Sequence, residues 1–295
     1  MSKGIVTFAL GNPIYGRFAF NLALSVKKVC PHIPIVLYYE ESAIKDLDKN
    51  KLSFFAECIP MPEEYMRLQG SNNKDYFLPK LSLNKLTPFE QTLFLDADTL
   101  LFKDPFKHIN EAFKFQTQAY FAYDFETKQS DNNGYDYTFW CEPERIKKTF
   151  KNEHIKSFYS LSSTYVYFEK SVENDLLFES IYDFRKRFTN PHKNFVPGGT
   201  CDELFIALGL TESGIEMQCP FVPIYFNFTE KNKPFANSTN YIYNEHVGIT
   251  NGGNVQPLVT EIVYNDLVKA FSQEYGFKPF LSQNKRSVLS ERRLM

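Results

Sequence analysis

Two carboxylates one residue apart, Asp96 and Asp98, follow the apolar run Thr92-Leu93-Phe94-Leu95. The run is too short for a buried helix and reads as a strand. Alternation along an extended chain would send both acids to the same side of the strand end. Like charges held there repel unless something positive sits between them. A divalent metal is the natural occupant, because Mg²⁺ and Mn²⁺ take oxygen ligands and share them with substrate phosphates. The motif Asp96-Ala97-Asp98 therefore points to chemistry on a nucleotide diphosphate.

The elements around it fit a site of that kind. Gly4 to Leu10 reads as a buried strand, broken at Gly11-Asn12-Pro13. Tyr15 to Cys30 follows as a helix, with Phe18, Leu22, Val26 and Val29 at helical spacing. Pro31 and Pro34 end it, and Ile35-Val36-Leu37-Tyr38-Tyr39 is a second strand. Strand, helix, strand predicts a parallel, doubly wound sheet. Ligands in such sheets sit at the carboxyl ends of strands. Both the turn after Leu10 and the Asp96/Asp98 pair are expected there. Further on, residues 75–86 read as helical, 119–123 and 164–168 as strands, and 172–188, 201–210 and 260–275 as helices. Leu176, Leu177, Ile181 and Phe184 are expected on the buried side of the first of these. Gly252-Gly253 reads as a turn.

Composition narrows the class. With 43% apolar and 17% aromatic residues, the chain is not a disordered one. A net charge of −2 gives no global attraction to nucleic acid. Cys30, Cys58, Cys141, Cys201 and Cys219 form no paired spacing, so neither a disulfide framework nor a zinc site is expected. Reduced thiols suit a cytoplasmic protein. Met1-Ser2-Lys3 leads straight into the first strand, so no secretion signal is expected, and no stretch is apolar enough to span a membrane. The sequons at Asn227 and Asn237 are then chance. We expect one domain over residues 1–295. Its nucleotide-binding half would cover about 1–125 and its acceptor-side half about 126–280, with a polar basic tail at 281–295.

The order of these pieces resembles the nucleotide-sugar glycosyltransferases of the GT-A fold, an α/β fold with a Rossmann-like, mostly parallel sheet flanked by helices. The nearest likeness is to the glycogenin-like (family 8) enzymes. It rests on Val6-Thr7-Phe8-Ala9-Leu10 with Tyr15, on Lys80-Leu81 with Leu86-Thr87, on Phe94-Leu95-Asp96-Ala97-Asp98-Thr99-Leu100, and on Ala122-Tyr123-Asp124. Fainter matches are Tyr165 to Phe168, Gly198-Gly199 with Asp202-Glu203, and Pro220-Phe221 with Tyr225 and Asn227. The likeness covers roughly residues 4 to 250.

The resemblance implies transfer of a sugar from a UDP-sugar to an acceptor hydroxyl, with Mn²⁺ or Mg²⁺ and with retention. Ala9, Leu10 and Tyr15 would embrace the base. Asp96 would lie nearer the ribose and Asp98 would ligate the metal, with Ala97 between them. Lys80 would reach the phosphates and Asp124 the donor sugar. Asp202 would orient donor or acceptor, or in an inverting enzyme Asp202 or Glu203 would be the general base. His246, within Glu245-His246-Val247-Gly248, would be a third metal ligand. Three departures stand out. No lysine follows His246 at the family's spacing, the family's Asn-Ser-Gly reads Ser162-Ser163-Thr164, and its Asp-Gln pair reads Asp202-Glu203.

The residues themselves leave plainer readings open. Tyr15 could be a core aromatic, Lys80 a surface lysine, Asp124 a strand-end turn residue, and Asp202 and Glu203 ordinary acids at a helix start. The basic tail reads as a solvated end or, alternatively, as a contact to an anionic membrane surface or a nucleic acid. Two rival functions share the motif: a sugar-phosphate nucleotidyltransferase, and a non-catalytic nucleotide-sugar-binding protein of the same fold. The acceptor stays open among glycan, lipid-linked glycan, protein and modified nucleic-acid base.

Overall fold

The computed structural model describes residues 2–110, 112–124, 126, 129–130, 148, 157–188, 200–215, 224–225, 242–244, 246–250 and 258–282. The fold is α/β, with a mostly parallel central sheet flanked by helices. The strands are β1 (Lys3–Ala9), β2 (Ile35–Tyr39), β3 (Glu57–Pro60), β4 (Gln91–Leu95), β5 (Thr99–Leu101), β6 (Phe115–Asp124), β7 (Gln129–Ser130), β8 (Ser157–Glu169), β9 (Ile224–Tyr225) and β10 (Gly248–Thr250). The helices are α1 (Pro13–Val29), α2 (Glu41–Ile44), α3 (Lys49–Leu52), α4 (Leu83–Leu86), α5 (Val172–Arg187), α6 (Asp202–Ser213) and α7 (Leu258–Glu274). They are grouped in two compact units, each drawn from separate stretches of chain.

Unit 2 comprises Gly4–Pro60, Leu95–Ile109 and Val222–Met295. Here β1, β2 and β3 run parallel, with Ile5 opposite Ile35 and Val36 opposite Glu57. Residues 4–10 are buried without alternation, as expected of a parallel strand covered on both faces. Asn12 caps α1 by accepting from the Ile14 amide, and Pro13 opens the helix where its missing N–H costs nothing. Phe18, Leu22, Ala23 and Val26 then face the core. A second small sheet pairs β10 antiparallel with β5 and parallel with β9. A Cβ on Gly248 would lie 2.6 Å from the Leu100 carbonyl oxygen, so this approach of β10 to β5 requires glycine.

Unit 1 comprises Met1–Lys3, Met61–Phe94 and Asn110–Phe221. Its long strands β6 and β8 pair antiparallel, with irregularities at Thr117/Gln118 and Ala119/Phe121, and β7 adds to β6. Helix α5 buries Leu177, Phe178, Ile181 and Phe184. Leu176, expected on that face, is instead 60% exposed, because Phe178 takes the buried place. The helix expected over 75–86 is a 3₁₀ segment, Leu78–Ser82, running into α4. Pro79 restricts the residue before it, and the Asp75 side chain accepts from the Phe77 amide, so an α-helix does not start upstream.

Cys30, Cys58 and Cys201 are thiols. Among the described residues no helix is long and apolar enough to cross a membrane. Cys141, Cys219, Gly198-Gly199, both sequons, Gly252-Gly253 and the basic tail after Ser282 lie outside the described residues.

Candidate functional site

The acidic motif is not strand. Strand β4 ends at Leu95, and the Thr99 amide donates to the Asp96 carbonyl at 3.0 Å. That bond closes a turn with Ala97 and Asp98 at its corner. The same-side argument from alternation is thus corrected: a tight turn, not a pleat, carries the two acids. Chain reversal into β5 then buries Ala97 and leaves Asp98 8% exposed, with Asp96 more open.

Asp98 is fixed from elsewhere in unit 2. The β5–β10 register sets Thr250 opposite Thr99, and Thr250 Oγ1 donates to Asp98 Oδ1 at 3.1 Å. Tyr264 of α7 is close by and fully buried. Burial, then the Asp98 charge, pushes its hydroxyl well above the ordinary tyrosine value. Tyr264 also packs edge-on to Phe18 of α1, with ring centres 6.2 Å apart. Helix α1 is tied to the same strand: Ser25 Oγ accepts from the Leu101 amide at 3.1 Å and donates to the Leu22 carbonyl.

His246 lies two residues before β10 and is buried, its ring edge-on to Tyr225 of β9 at 5.3 Å. Among the described residues no group of three or more His, Cys, Asp or Glu side chains is arranged to hold a metal ion. The chemistry of the donor set in unit 2 nonetheless suits a hard divalent cation, with carboxylate oxygens on Asp96 and Asp98 and an imidazole nitrogen on His246.

The turn after β1 belongs to the same unit. Ala9 and Leu10 are buried. Gly11 takes φ +73°, a left-handed conformation that glycine adopts readily. Its amide donates to Glu40 Oε2 at 2.7 Å, while the Glu40 amide donates to the Ala9 carbonyl. Glu40 thereby ties the ends of two parallel strands together. Tyr15, in the first turn of α1, touches Phe18 edge-on but is 38% exposed, so it is not a core aromatic.

The remaining candidates belong to unit 1. Lys80 is no surface lysine: it is 8% exposed. Its Nζ donates to Ser163 Oγ at 3.0 Å and lies 3.1 Å from Asp202 Oδ2. Ser163 Oγ donates to the same carboxylate oxygen at 2.6 Å. The ammonium also sits 5.4 Å from the Phe94 ring centre. Asp202 and Glu203 occupy the first turn of α6, where the helix dipole favours acids, and both are buried. Burial alone would raise Asp202. The Lys80 charge and hydrogen bonds from Glu203, Ser163 and Lys80 outweigh it, and hold the carboxyl below its usual range. Glu203 goes the other way, pushed well up by burial and then by the Asp202 charge.

A second polar cluster, not singled out in the sequence, secures the entry to α6. Asp75 accepts from the Thr200 amide at 3.2 Å and also from the Thr200 hydroxyl. Arg185 Nε donates to Thr200 Oγ1 at 2.7 Å and its guanidinium lies 3.8 Å from Asp75. Its only sequence trace is Thr200 two residues before Asp202. Thr250 carries no more signal in the sequence than the short strand pattern Gly248-Ile249-Thr250 after His246. Asp124 ends β6, opposite Gln129, and its side chain lies outside the described features.

No protein-family model matches the chain, and no curated protein matches it in sequence. Solved structures match it in shape. The apo structure of the bifunctional glycosyltransferase WbbM superposes with a TM-score of 0.55 at 11% identity, over 92% of this chain and 50% of that one. The galactosyltransferase LgtC, in complex with donor and acceptor sugar analogues, gives 0.51 at 11%, over 91% of this chain and 95% of that one. Glycosyltransferase GlyE of Streptococcus pneumoniae TIGR4 gives 0.50 at 11%, over 95% and 66%. The chain thus spans half the length of WbbM and 66% of GlyE. At this identity the likeness is one of fold, and the fold is GT-A.

Proposed function

We propose that this chain is a metal-dependent glycosyltransferase that moves a sugar from a nucleotide diphosphate sugar, most simply a UDP-sugar, to an acceptor hydroxyl with retention. The observation that carries this reading is the Asp96-Ala97-Asp98 turn of a GT-A fold, with its second acid anchored by Thr250. A buried carboxylate fixed at one oxygen is suited to holding a cation in one orientation. Asp96 and Asp98 would hold Mn²⁺ or Mg²⁺, and His246 would be the third protein ligand. When bound, the metal would supply charge neutralisation for the departing diphosphate.

The residues of the chain take separate roles. Leu10 and Ala9 form the floor beside the base, and exposed Tyr15 stacks on it. Ala97 gives the backbone of the turn beside the nucleotide. Asp202, with its charge held by Lys80 and Ser163, orients a substrate hydroxyl. Lys80 is already committed to that carboxylate, which favours a role in stabilising Asp202 over one on phosphate. Asp124 remains a candidate contact to the donor sugar. The likeness in fold to the galactosyltransferase LgtC, solved in complex with donor and acceptor sugar analogues, supports sugar transfer.

The test is release of UDP from a panel of UDP-sugars with Mn²⁺, comparing wild type with Asp98→Asn. Asp98→Asn should lower turnover by at least a hundredfold while the protein stays folded. Equal rates in the two proteins would refute the metal assignment. Release of pyrophosphate from a nucleoside triphosphate and a sugar phosphate would move the chain to the nucleotidyltransferases.

A further inference from the structure

Resting on the transferase reading above, we propose that Glu203 is a neutral carboxylic acid beside the ionised Asp202, offering Oε2 as an acceptor to a substrate hydroxyl. It is then a binding residue and not a general base.

The argument begins with charge. Helix α6 opens with two adjacent acids, and the fold buries both, at 1% and 7% exposure. The cation facing them is Lys80 from the 3₁₀ segment. Two carboxylates and one ammonium would leave a net negative charge out of water, at a cost of several kcal/mol per unpaired ion. One proton removes that cost. The geometry shows which acid takes it. Asp202 Oδ2 receives the Lys80 ammonium at 3.1 Å and the Ser163 hydroxyl at 2.6 Å, which favours its ionised form. Glu203 has no ion-pair partner among the described residues, while the ammonium and the hydroxyl that face the two acids are both taken by Asp202. With the cation and the donor both on Asp202 and both acids buried, the proton belongs to Glu203. Burial, followed by the Asp202 charge, favours the same form.

The other packed elements leave this balance intact. From α5 comes Arg185, whose guanidinium is taken up by Asp75 and Thr200. From β8 comes the neutral Ser163, while Glu169 of that strand is engaged by Gln91 and Tyr167. That leaves Glu203 Oε2, a buried oxygen with no hydrogen-bond partner among the described residues. A buried acceptor left unmatched costs about 1–3 kcal/mol, which a ligand that donates to it recovers. Its neutral carbonyl character selects a hydroxyl or amide N–H. A group that must lose its proton to the enzyme finds no base in Glu203.

The test reads the proton directly. Infrared difference spectra of wild type against Glu203→Gln at pH 7 should show a protonated-carboxyl stretch that the variant lacks. The melting temperature of wild type should fall as pH rises above 4.5, the ordinary value for a glutamate. A raised folded-state pKa gives stability that is complete below the unfolded value and lost through the folded one. Glu203→Gln should lack that fall. Carboxyl NMR of ¹³C-glutamate-labelled wild type gives the same answer without a variant. An ionised Glu203 at pH 7, or parallel melting curves, would overturn the proposal. So would turnover that rises with Glu203 ionisation and is abolished in Glu203→Gln. If wild type turns over no donor, the transferase reading fails, and the spectra still decide where the proton sits.

Discussion

Thr250 Oγ1 donates to Asp98 Oδ1 across 152 residues of sequence, at 3.1 Å. The bond exists because β10 pairs antiparallel with β5 in a register that sets Thr250 beside the acidic turn. It gives a buried carboxylate a fixed orientation without neutralising it, which is what a cation ligand requires.

Thr250→Val removes that hydroxyl at nearly constant volume. A hydrogen bond to a charged group contributes about 1.5–3 kcal/mol, so UDP affinity in the presence of Mn²⁺ should fall by about tenfold or more. Calorimetric titration of UDP with and without Mn²⁺ checks this. Thr250→Ser should keep most of the metal-dependent binding, and identical behaviour of the two variants would show that the hydroxyl does not position Asp98.

Lys80→Met should destabilise the protein by about 3–5 kcal/mol, because it strands Asp202 as a buried unpaired charge. Adding Asp202→Asn should recover part of that loss, and urea unfolding of the single and double variants measures it. The pH dependence has a definite sign. Asp202 is held below its ordinary 3.8, so its stabilisation is present above that value and is lost as pH falls through the lower folded one. Lys80→Met should erase this acid-side loss.

Tyr15→Ala should separate binding from stability. Stacking of a base on an aromatic ring is worth about 1–3 kcal/mol, so UDP affinity should fall roughly tenfold. The half-open ring contributes little to the core, and the melting temperature should hardly move. Phe18→Ala, three residues on and buried, should instead cost about 3–5 kcal/mol. Unchanged UDP affinity in Tyr15→Ala would remove the stacking role.

What the chain discloses by itself follows from what local pattern encodes. The opening strand, helix and strand carry continuous apolar runs and helical spacing, with Asn12-Pro13 marking the helix start, and these were legible. So was the place of Asp96 and Asp98, since an apolar run that stops at acids marks a buried strand end. Their turn was not legible, because Ala97 and Thr99 suit strand and turn equally. Lys80 and Asp202 are separated by more than a hundred residues, and nothing local says that a lysine will be buried. Thr250, Ser163 and the Asp75–Arg185 pair acquire meaning only through tertiary pairing. Leu176 is misleading because the buried face of the helix is made by Leu177, Phe178, Ile181 and Phe184 and excludes it.

The discontinuity of unit 2 bears on how the molecule comes into being on the ribosome. Its first segment ends at Pro60 and its last begins at Val222. Helix α1 and strand β5 emerge early and must wait for their partners until α7 and β10 have been synthesised. Contacts so distant in sequence form slowly and leave a nascent chain open to aggregation. A stalled or truncated translation product ending before Thr250 would therefore carry the acidic turn without its anchor, and should depend on chaperones to stay in solution.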